Sequence, residues 1–350
     1  MCIRDSSEAV LYHSEFAPQV AAVRDRLPDL KVLIQIADDS GNALLPGAVD
    51  YEEALAAASP EMPQVEASPD DLYILYTGGT TGMPKGVMYE MGPFCATYLA
   101  SMPMLLGLDA IDSADQVAVA AKALVDAAQS KVSMSGPPLI HGTGVWLGLM
   151  APHLYGSTAV LPASRSFDPD DILHTIERER VSLLIIVGDV FGRPLLRRLE
   201  EMAETGSVPD LSSLGLIMSS GAMFSTEVKQ GLLEHMPTTA LLDALGSTEG
   251  GMATNITMKG METQTATFSS MPTTKVFDDD DREVEPGSGG IGYVATSAMV
   301  PVGYYKDPDK SARTFREIDG VRWSFPGDLA TVDADGTIHL LGRSSQCINT

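Results

Sequence analysis

The sequence predicts an α/β fold: doubly wound parallel sheets with helices on both faces, plus a small C-terminal all-β subdomain. Two observations carry that reading. Between residues 157 and 245, apolar runs of strand length alternate with amphipathic runs of helix length, the pattern of a parallel sheet covered on both faces. After about Thr254 the apolar runs shorten and are separated by Gly, Pro and Asp, as in 278–292, which reads as antiparallel β structure. Composition agrees: 350 residues with 44% apolar and 20% charged side chains are ordinary for a globular chain and enough for more than one core.

Taken in order, residues 1–6 match nothing that follows and are read as a non-native scar, outside the fold. Residues 31–37 form a short buried strand. Residues 43–66, rich in Ala, Pro and Glu, read as a linker with one short helix. Residues 72–76 form a strand that ends in a Gly/Thr cluster. Residues 113–130 are Ala-rich behind Ser113, a cap residue, and predict a helix. Residues 131–140 read as a strand running into a loop, and 157–161 as another strand. Asp168 then caps a helix with Pro169 at its first position and Asp171 reaching back from the third; Ile172, Leu173 and Ile176 supply its apolar face. Strands follow at 182–187, 214–218 and 240–245. Between them lie a helix at 195–203 and a helix from the Ser225 cap to His235. The acidic run 278–281 reads as a solvated hairpin tip rather than a metal site.

Charge excludes several functions. There are 23 Lys+Arg against 47 Asp+Glu, a net charge of −24, which opposes an extended nucleic-acid surface or adhesion to an anionic leaflet. One local anion site stays open, because backbone amides and a few cations can build it. No apolar run approaches the roughly 18 residues of a membrane span, so stable membrane insertion is not expected, and no secretory signal is visible. Cys2, Cys95 and Cys347 lack ligand spacing and lie far apart, which fits a reducing, cytoplasmic setting.

The strongest chemical signal runs from Tyr76 to Gly86. Gly78, Gly79 and Gly82 permit tight backbone with positive φ that exposes consecutive amides, and Thr77, Thr80, Thr81 and Lys85 complete a cradle for polyphosphate. It is not the usual nucleoside-triphosphatase loop, since Lys85 is followed by Gly86 rather than Ser or Thr. Glu249 is a hard oxygen ligand suited to a Mg²⁺ held mainly by phosphates. Asp328 can accept hydrogen bonds from two ribose hydroxyls, and Arg343 can donate to ribose or phosphate. The same residues also fit plainer roles: a surface carboxylate, a turn cap after Gly327, a surface ion pair.

The Tyr76–Gly86 run resembles the phosphate loop of adenylate-forming enzymes, which include acyl-CoA synthetases, peptide-synthetase adenylation domains and luciferases. Three further segments resemble that family in the correct order: Ser219-Ser220-Gly221-Ala222, Gly246-Ser247-Thr248-Glu249, and Phe325-Pro326-Gly327-Asp328 with Gly342-Arg343. The likeness extends from about Leu72 to the end of the chain. It implies catalytic roles for Lys85, Thr248 and Glu249, with Glu249 holding Mg²⁺. It also implies adenine and ribose contacts from Gly221, Ala222, Asp243, Ala244, Leu245, Gly246, Asp328 and Arg343, with Asp243 accepting from the exocyclic amine. His141 resembles the His of the family's acyl-pocket strand; with Gly142 and Trp146 it is expected beside the acyl group, although a packed or capping His and core packing of Trp146 and Met150 fit equally. Two departures stand out: Leu245 replaces the aromatic ring that stacks on adenine, and Gln346 stands where an Asp or Lys often marks the hinge.

Within the family the wording is closer to bacterial fatty-acyl and steroid-type acyl-CoA synthetases. The resemblance therefore implies acid + ATP + CoA to acyl-CoA + AMP + pyrophosphate through an acyl-adenylate, with a fatty or bulky apolar acid as substrate. The alternatives are an adenylation domain that loads a carrier protein and a non-catalytic nucleotide-binding remnant. The same resemblance divides the chain into a remnant of a first α/β subdomain with linker at 7–70, a nucleotide-binding core at 71–253, a β subdomain at 254–343, and the start of a hinge at 344–350. It implies a large domain incomplete at both ends, a mobile C-terminal domain that is absent, and no turnover by this chain alone.

Overall fold

A computed structural model describes residues 7–77, 84–103, 108, 109, 111 and 113–343. The chain divides into two compact units, 1–67 and 68–350.

The first unit is a small parallel sheet of β1 (Ala9–His13), β2 (Val32–Ile36) and β3 (Val49–Asp50), in that order. Its core forms around Tyr12, Ala17 and Leu33. The helix expected in the linker is Tyr51–Ala57, started by Asp50, whose carboxylate accepts from the amides of Glu52 and Glu53. The strand β1 and the helix Ala17–Arg24 are additions to the sequence reading.

In the second unit, β4 (Leu72–Thr77) and β5 (Lys85–Glu90) form an antiparallel hairpin across the Gly/Thr segment. The main sheet holds β6 (Val132–Ser135), β7 (Thr158–Val160), β8 (Leu183–Ile186), β9 (Leu216–Ser220) and β10 (Ala240–Ser247) in the order β7-β6-β8-β9-β10, all parallel. The helices Pro169–Glu179, Gly188–Thr205 and Thr226–His235 cover one face. Their apolar stripes meet β8, β9 and β10 in a core that includes Ile172, Leu173, Ile176, Leu199, Val228 and Leu232. A second core, with Leu124, Tyr155, Ile185, Met218 and Leu242, closes the other face. Helices on both faces of a parallel sheet are the arrangement expected from the alternating pattern.

At β11 (Gly250–Thr257) the sheet turns antiparallel. It continues through β12 (Thr267–Ser270), β13 (Thr274–Phe277) and β14 (Gly292–Thr296). The short β15 (Gly303–Tyr304) leaves this sheet to pair with β5. Then β16 (Phe315–Ile318), β17 (Val321–Ser324), β18 (Asp328–Val332) and β19 (Thr337–Arg343) complete it. The boundary expected at 253/254 falls inside β11, and the hydrogen-bonded ladder runs through it without a break.

Local chemistry explains most starts and corrects three. Asp168 caps its helix by accepting from Asp170 N, and Ser225 caps the next by accepting from Val228 N. Asp171, however, accepts from Ser164 N, four residues upstream of the expected target, so it ties the preceding loop to the helix. Ser113 makes no side-chain cap bond. The helix expected at 195–203 begins at Gly188 and carries Pro194 inside it. The acidic run 278–281 is a turn in which Asp278 accepts from the amides of Asp280 and Arg282, as expected of a hairpin tip.

Candidate active site

The parallel strands β6, β8, β9 and β10 all end at one edge of the sheet. Ligands in open α/β sheets sit beyond such carboxyl ends. Each strand there delivers a segment to that edge: 136–142 after β6, Gly188 after β8, Gly221 and Ala222 after β9, and Thr248 and Glu249 after β10; all but Gly188 fall in stretches singled out in the sequence.

The β10–β11 turn fixes the last of these. Ser247 pairs with Gly250, so Thr248 and Glu249 form a two-residue hairpin tip. Gly250 has φ +145°, and a Cβ on it would meet Thr296 Cγ2 at 2.7 Å, so the turn demands glycine. The Tyr89 hydroxyl donates to the Thr248 carbonyl, and the Tyr304 hydroxyl donates to Glu249 Oε1 at 2.7 Å. Glu249 is only 8% exposed. Burial and that carboxylate push the Tyr304 phenol up, so it keeps its proton and stays a donor.

Lys85, the first residue of β5, faces this tip. Its Nζ lies 3.9 Å from Glu249 Oε1 and 5.1 Å from the Tyr304 ring centre. Burial pulls the Lys85 ammonium below the ordinary lysine value; Glu249 opposes this, and the nearby charges of Lys310 and Arg343 add to it. Asp328 and Arg343 stand opposite each other on β18 and β19, with Arg343 Nε donating to Asp328 Oδ1 at 3.1 Å. Burial raises the Asp328 carboxyl, Arg343 opposes that rise, and the Glu249 charge adds to it. Lys85, Glu249, Asp328 and Arg343 thus lie within one electrostatic neighbourhood.

The 141–143 segment and the 220–222 loop close the other side. A Cβ at Gly221 would stand 3.5 Å from His141 Cε1 and 3.8 Å from Thr143 Oγ1; one at Gly142 would stand 3.9 Å from Thr248 Oγ1. Ala222 is exposed beside Gly221, whose φ is +93°. Gly246 lies next to Ser220, whose Oγ would be 3.9 Å from an added Cβ. Partial desolvation pulls the His141 pKa below the ordinary histidine value, although the residue is exposed, and its Nδ1 accepts from Thr143 N at 3.3 Å. It stands ahead of a π-helical segment, Thr143–Met150, and not on a strand as expected.

The turn at Gly188 holds the 220–222 loop in place. Gly188 N donates to Ser219 Oγ at 2.9 Å, Asp189 N donates to Met223 O, and Asp189 Oδ1 accepts from Ser225 N. Gly188 has φ +50°, and a Cβ there would meet Met223 O at 2.2 Å. Gly188→Ala is therefore expected to lower the unfolding free energy by about 2–3 kcal/mol, from strain plus a backbone clash, as read in urea titration.

Five expectations are corrected. Asp243 is 3% exposed, and its Oδ2 accepts from Lys229 Nζ at 2.8 Å; the carboxylate belongs to a buried ion pair rather than an open adenine pocket. Its neighbour Ala244 contributes to the core on the other face. Leu245 packs in the apolar cluster of Met252, Phe268 and Val276 instead of standing free as a purine platform. Trp146 is a core residue: its Nε1 donates to the Tyr73 hydroxyl at 3.1 Å, and its ring sits 5.7–5.9 Å from those of Phe94 and Tyr89. Fifth, Lys85 is a strand residue, not a loop residue. The expectations on Gly78, Gly79, Thr80, Thr81 and Gly82, on the scar at 1–6 and on the hinge at 344–350 lie outside the described residues; Thr77 ends β4. Sequence reasoning missed Tyr89, Tyr304 and Lys310. For Tyr304 and Lys310 the signal was the aromatic and basic wording of 303–310, which carries no spacing rule; Tyr89 had none.

The family described as AMP-binding enzyme matches residues 1–305. Over 98% of its length the chain is 42% identical to a medium-chain acyl-CoA ligase, Mig, of Mycobacterium avium, covering 60% of that protein. Over 99% of its length it is 36% identical to a 3-oxocholest-4-en-26-oate–CoA ligase of Rhodococcus rhodochrous, covering 62% of it. The chain thus spans about three fifths of the length of the curated relatives it matches. Among solved structures it is similar to the anthranilate CoA ligase AuaEII in complex with anthranoyl-AMP, with TM-score 0.79 and 22% identity over 99% of this chain and 61% of that one. ATP-bound MatB from Rhodopseudomonas palustris gives TM-score 0.71 at 22% identity, with the same coverage. At these identities the structures show the fold.

Proposed function

Because this chain belongs to the AMP-binding enzyme family, we propose that it is the nucleotide-binding part of an ATP-dependent acyl-CoA ligase whose acid is apolar, either a fatty acid or a steroid side-chain acid. The observation that carries this reading is the meeting of Lys85 with Glu249 at the carboxyl edge of the parallel strands, beside Asp328 and Arg343. A carboxylate oxygen attacks the α-phosphorus of ATP and pyrophosphate leaves. The thiolate of CoA then attacks the acyl carbonyl, and AMP leaves.

In this reading Lys85 neutralises the phosphate chain, with Thr77, Gly78, Gly79, Thr80, Thr81 and Gly82 presenting donors to it. Thr248 and Glu249 stand at the reacting end. Gly221, Ala222 and Gly246 border the adenosine, and Asp328 with Arg343 takes the ribose. His141, beside Gly221, and Gly142 flank the acid. Most of the catalytic effect is then positioning and charge neutralisation. A magnesium ion fits Glu249: among the described residues no cluster of three or more His, Cys, Asp or Glu could cage a metal, and magnesium commonly takes one carboxylate and completes its shell with phosphate oxygens and water. When bound it would withdraw charge from the phosphates. A cytoplasmic setting is part of the same proposal, argued from the widely spaced cysteines.

Titration with acyl-sulfamoyl-adenosines, stable mimics of the acyl-adenylate, tests this. Octanoyl, palmitoyl and steroid-acid members should each bind the chain more tightly than sulfamoyl-adenosine alone, and the tightest identifies the acid class. Equal affinity across the series would sink the acyl-ligase reading.

A further inference from the structure

The Tyr304 ring has two ammonium groups near it. Lys85 Nζ lies 5.1 Å and Lys310 Nζ 5.8 Å from its centre, while the hydroxyl is bound to Glu249 Oε1. Lys310 reaches this position because Asp307, accepting from Lys310 N, caps the short helix Pro308–Thr314, and because β15 pairs with β5 and so brings Tyr304 opposite Val87. Ser311 reinforces the link, its hydroxyl accepting from Tyr304 N at 2.8 Å. None of the segments that carry the family resemblance contains Lys310.

Like charges crowd this spot. Lys85 Nζ lies 3.9 Å from Glu249 Oε1, the Asp307 carboxylate also acts on Tyr304, and Arg343 is already paired with Asp328. Two ammonium groups around one ring, at 5.1 and 5.8 Å from its centre, repel each other. The repulsion is relieved if a polyvalent anion lies between them, and the chain is otherwise strongly acidic, so such a concentration of cations is not a background feature.

We propose that Lys310 is a second cationic contact for the pyrophosphoryl end of the nucleotide, acting with Lys85 across the Tyr304 ring, and that Tyr304 positions Glu249. This rests on the nucleotide-binding reading of the site. A contact of this kind distinguishes ligands by their terminal phosphates: ATP and inorganic pyrophosphate gain from it, and AMP does not.

Calorimetric titration of the 350-residue chain with ATP, pyrophosphate and AMP separates the outcomes. Lys310→Gln is expected to weaken ATP and pyrophosphate about 10-fold, to leave AMP within about twofold, and to flatten the salt dependence of ATP binding, since one phosphate contact is lost. Lys310→Arg should retain most of the affinity because the charge remains. Tyr304→Phe should weaken ATP in the presence of magnesium more than in its absence, since only the Glu249 contact is removed. Lys85→Gln is the control for the underlying reading. If Lys85→Gln weakens ATP and Lys310→Gln does not, or if Lys310→Gln weakens AMP as much as ATP, the Lys310 proposal is overturned while the site stands. If the parent chain binds none of the three ligands, the nucleotide reading fails and this proposal with it. Unchanged thermal unfolding of Lys310→Gln checks that the loss is one of contact and not of fold.

Discussion

Lys229→Met is expected to destabilise the chain by about 3–5 kcal/mol in urea unfolding, the largest stability effect foreseen for a single side chain here. Lys229 has 0% exposure, its Nζ is 2.8 Å from Asp243 Oδ2, and the ring of Phe224 lies 5.3 Å from the same nitrogen. Removing the ammonium leaves a carboxylate in the core with no opposite charge. The pair as a whole need not stabilise the fold: desolvating both groups offsets much of their attraction, so the double variant Lys229→Met with Asp243→Leu is expected to recover most of the loss. The pH dependence has a definite sign. Burial already raises the Asp243 carboxyl above its ordinary value, with Lys229 opposing. Without Lys229 the rise is larger, and the folded state then holds the neutral acid more readily than the unfolded chain does. The deficit of the single variant against the parent should therefore shrink as pH falls from 8 to 5. A deficit that is independent of pH would show that lost packing, not the stranded charge, sets the cost.

Glu249→Gln is expected to remove most of the magnesium dependence of ATP binding, with an affinity loss of at least about 10–100-fold in magnesium buffer and little change in its absence. The exchange keeps size and keeps an acceptor for the Tyr304 hydroxyl, so the hairpin tip should stay intact. What is lost is the negative charge that a hard divalent ion prefers, together with the attraction for Lys85 at 3.9 Å. Paired ATP titrations with and without magnesium read this directly. An undiminished magnesium effect in the variant would remove Glu249 from the ligand set.

The sequence alone determined what depends on neighbours along the chain. The alternating runs from 157 to 245 gave the parallel sheet because a strand buried on both faces must be continuously apolar, as Leu183–Ile186 is. Asp168 and Ser225 marked helix starts because a cap bonds amides two or three residues away. The family motifs pointed to Lys85, Gly221, Glu249, Asp328 and Arg343, and four of these five sit at electrostatic range of one another.

Only the tertiary structure decided which partner each charged group would meet across the fold. The sequence reading gave Asp243 as an adenine acceptor, whereas the fold makes it half of a buried ion pair. The choice was made by Lys229, 14 residues away on the helix that covers β10. Trp146 became core because Tyr73, Tyr89 and Phe94, more than 50 residues upstream, arrive around it. Lys310 reached Lys85 through the antiparallel pairing of β15 with β5, a ladder more than 200 residues long in sequence separation. Periodicity reports which face a side chain points to, since that follows from the helical or pleated repeat. It does not report what stands opposite, because that is set by the register and order of strands that meet only after the chain has closed on itself.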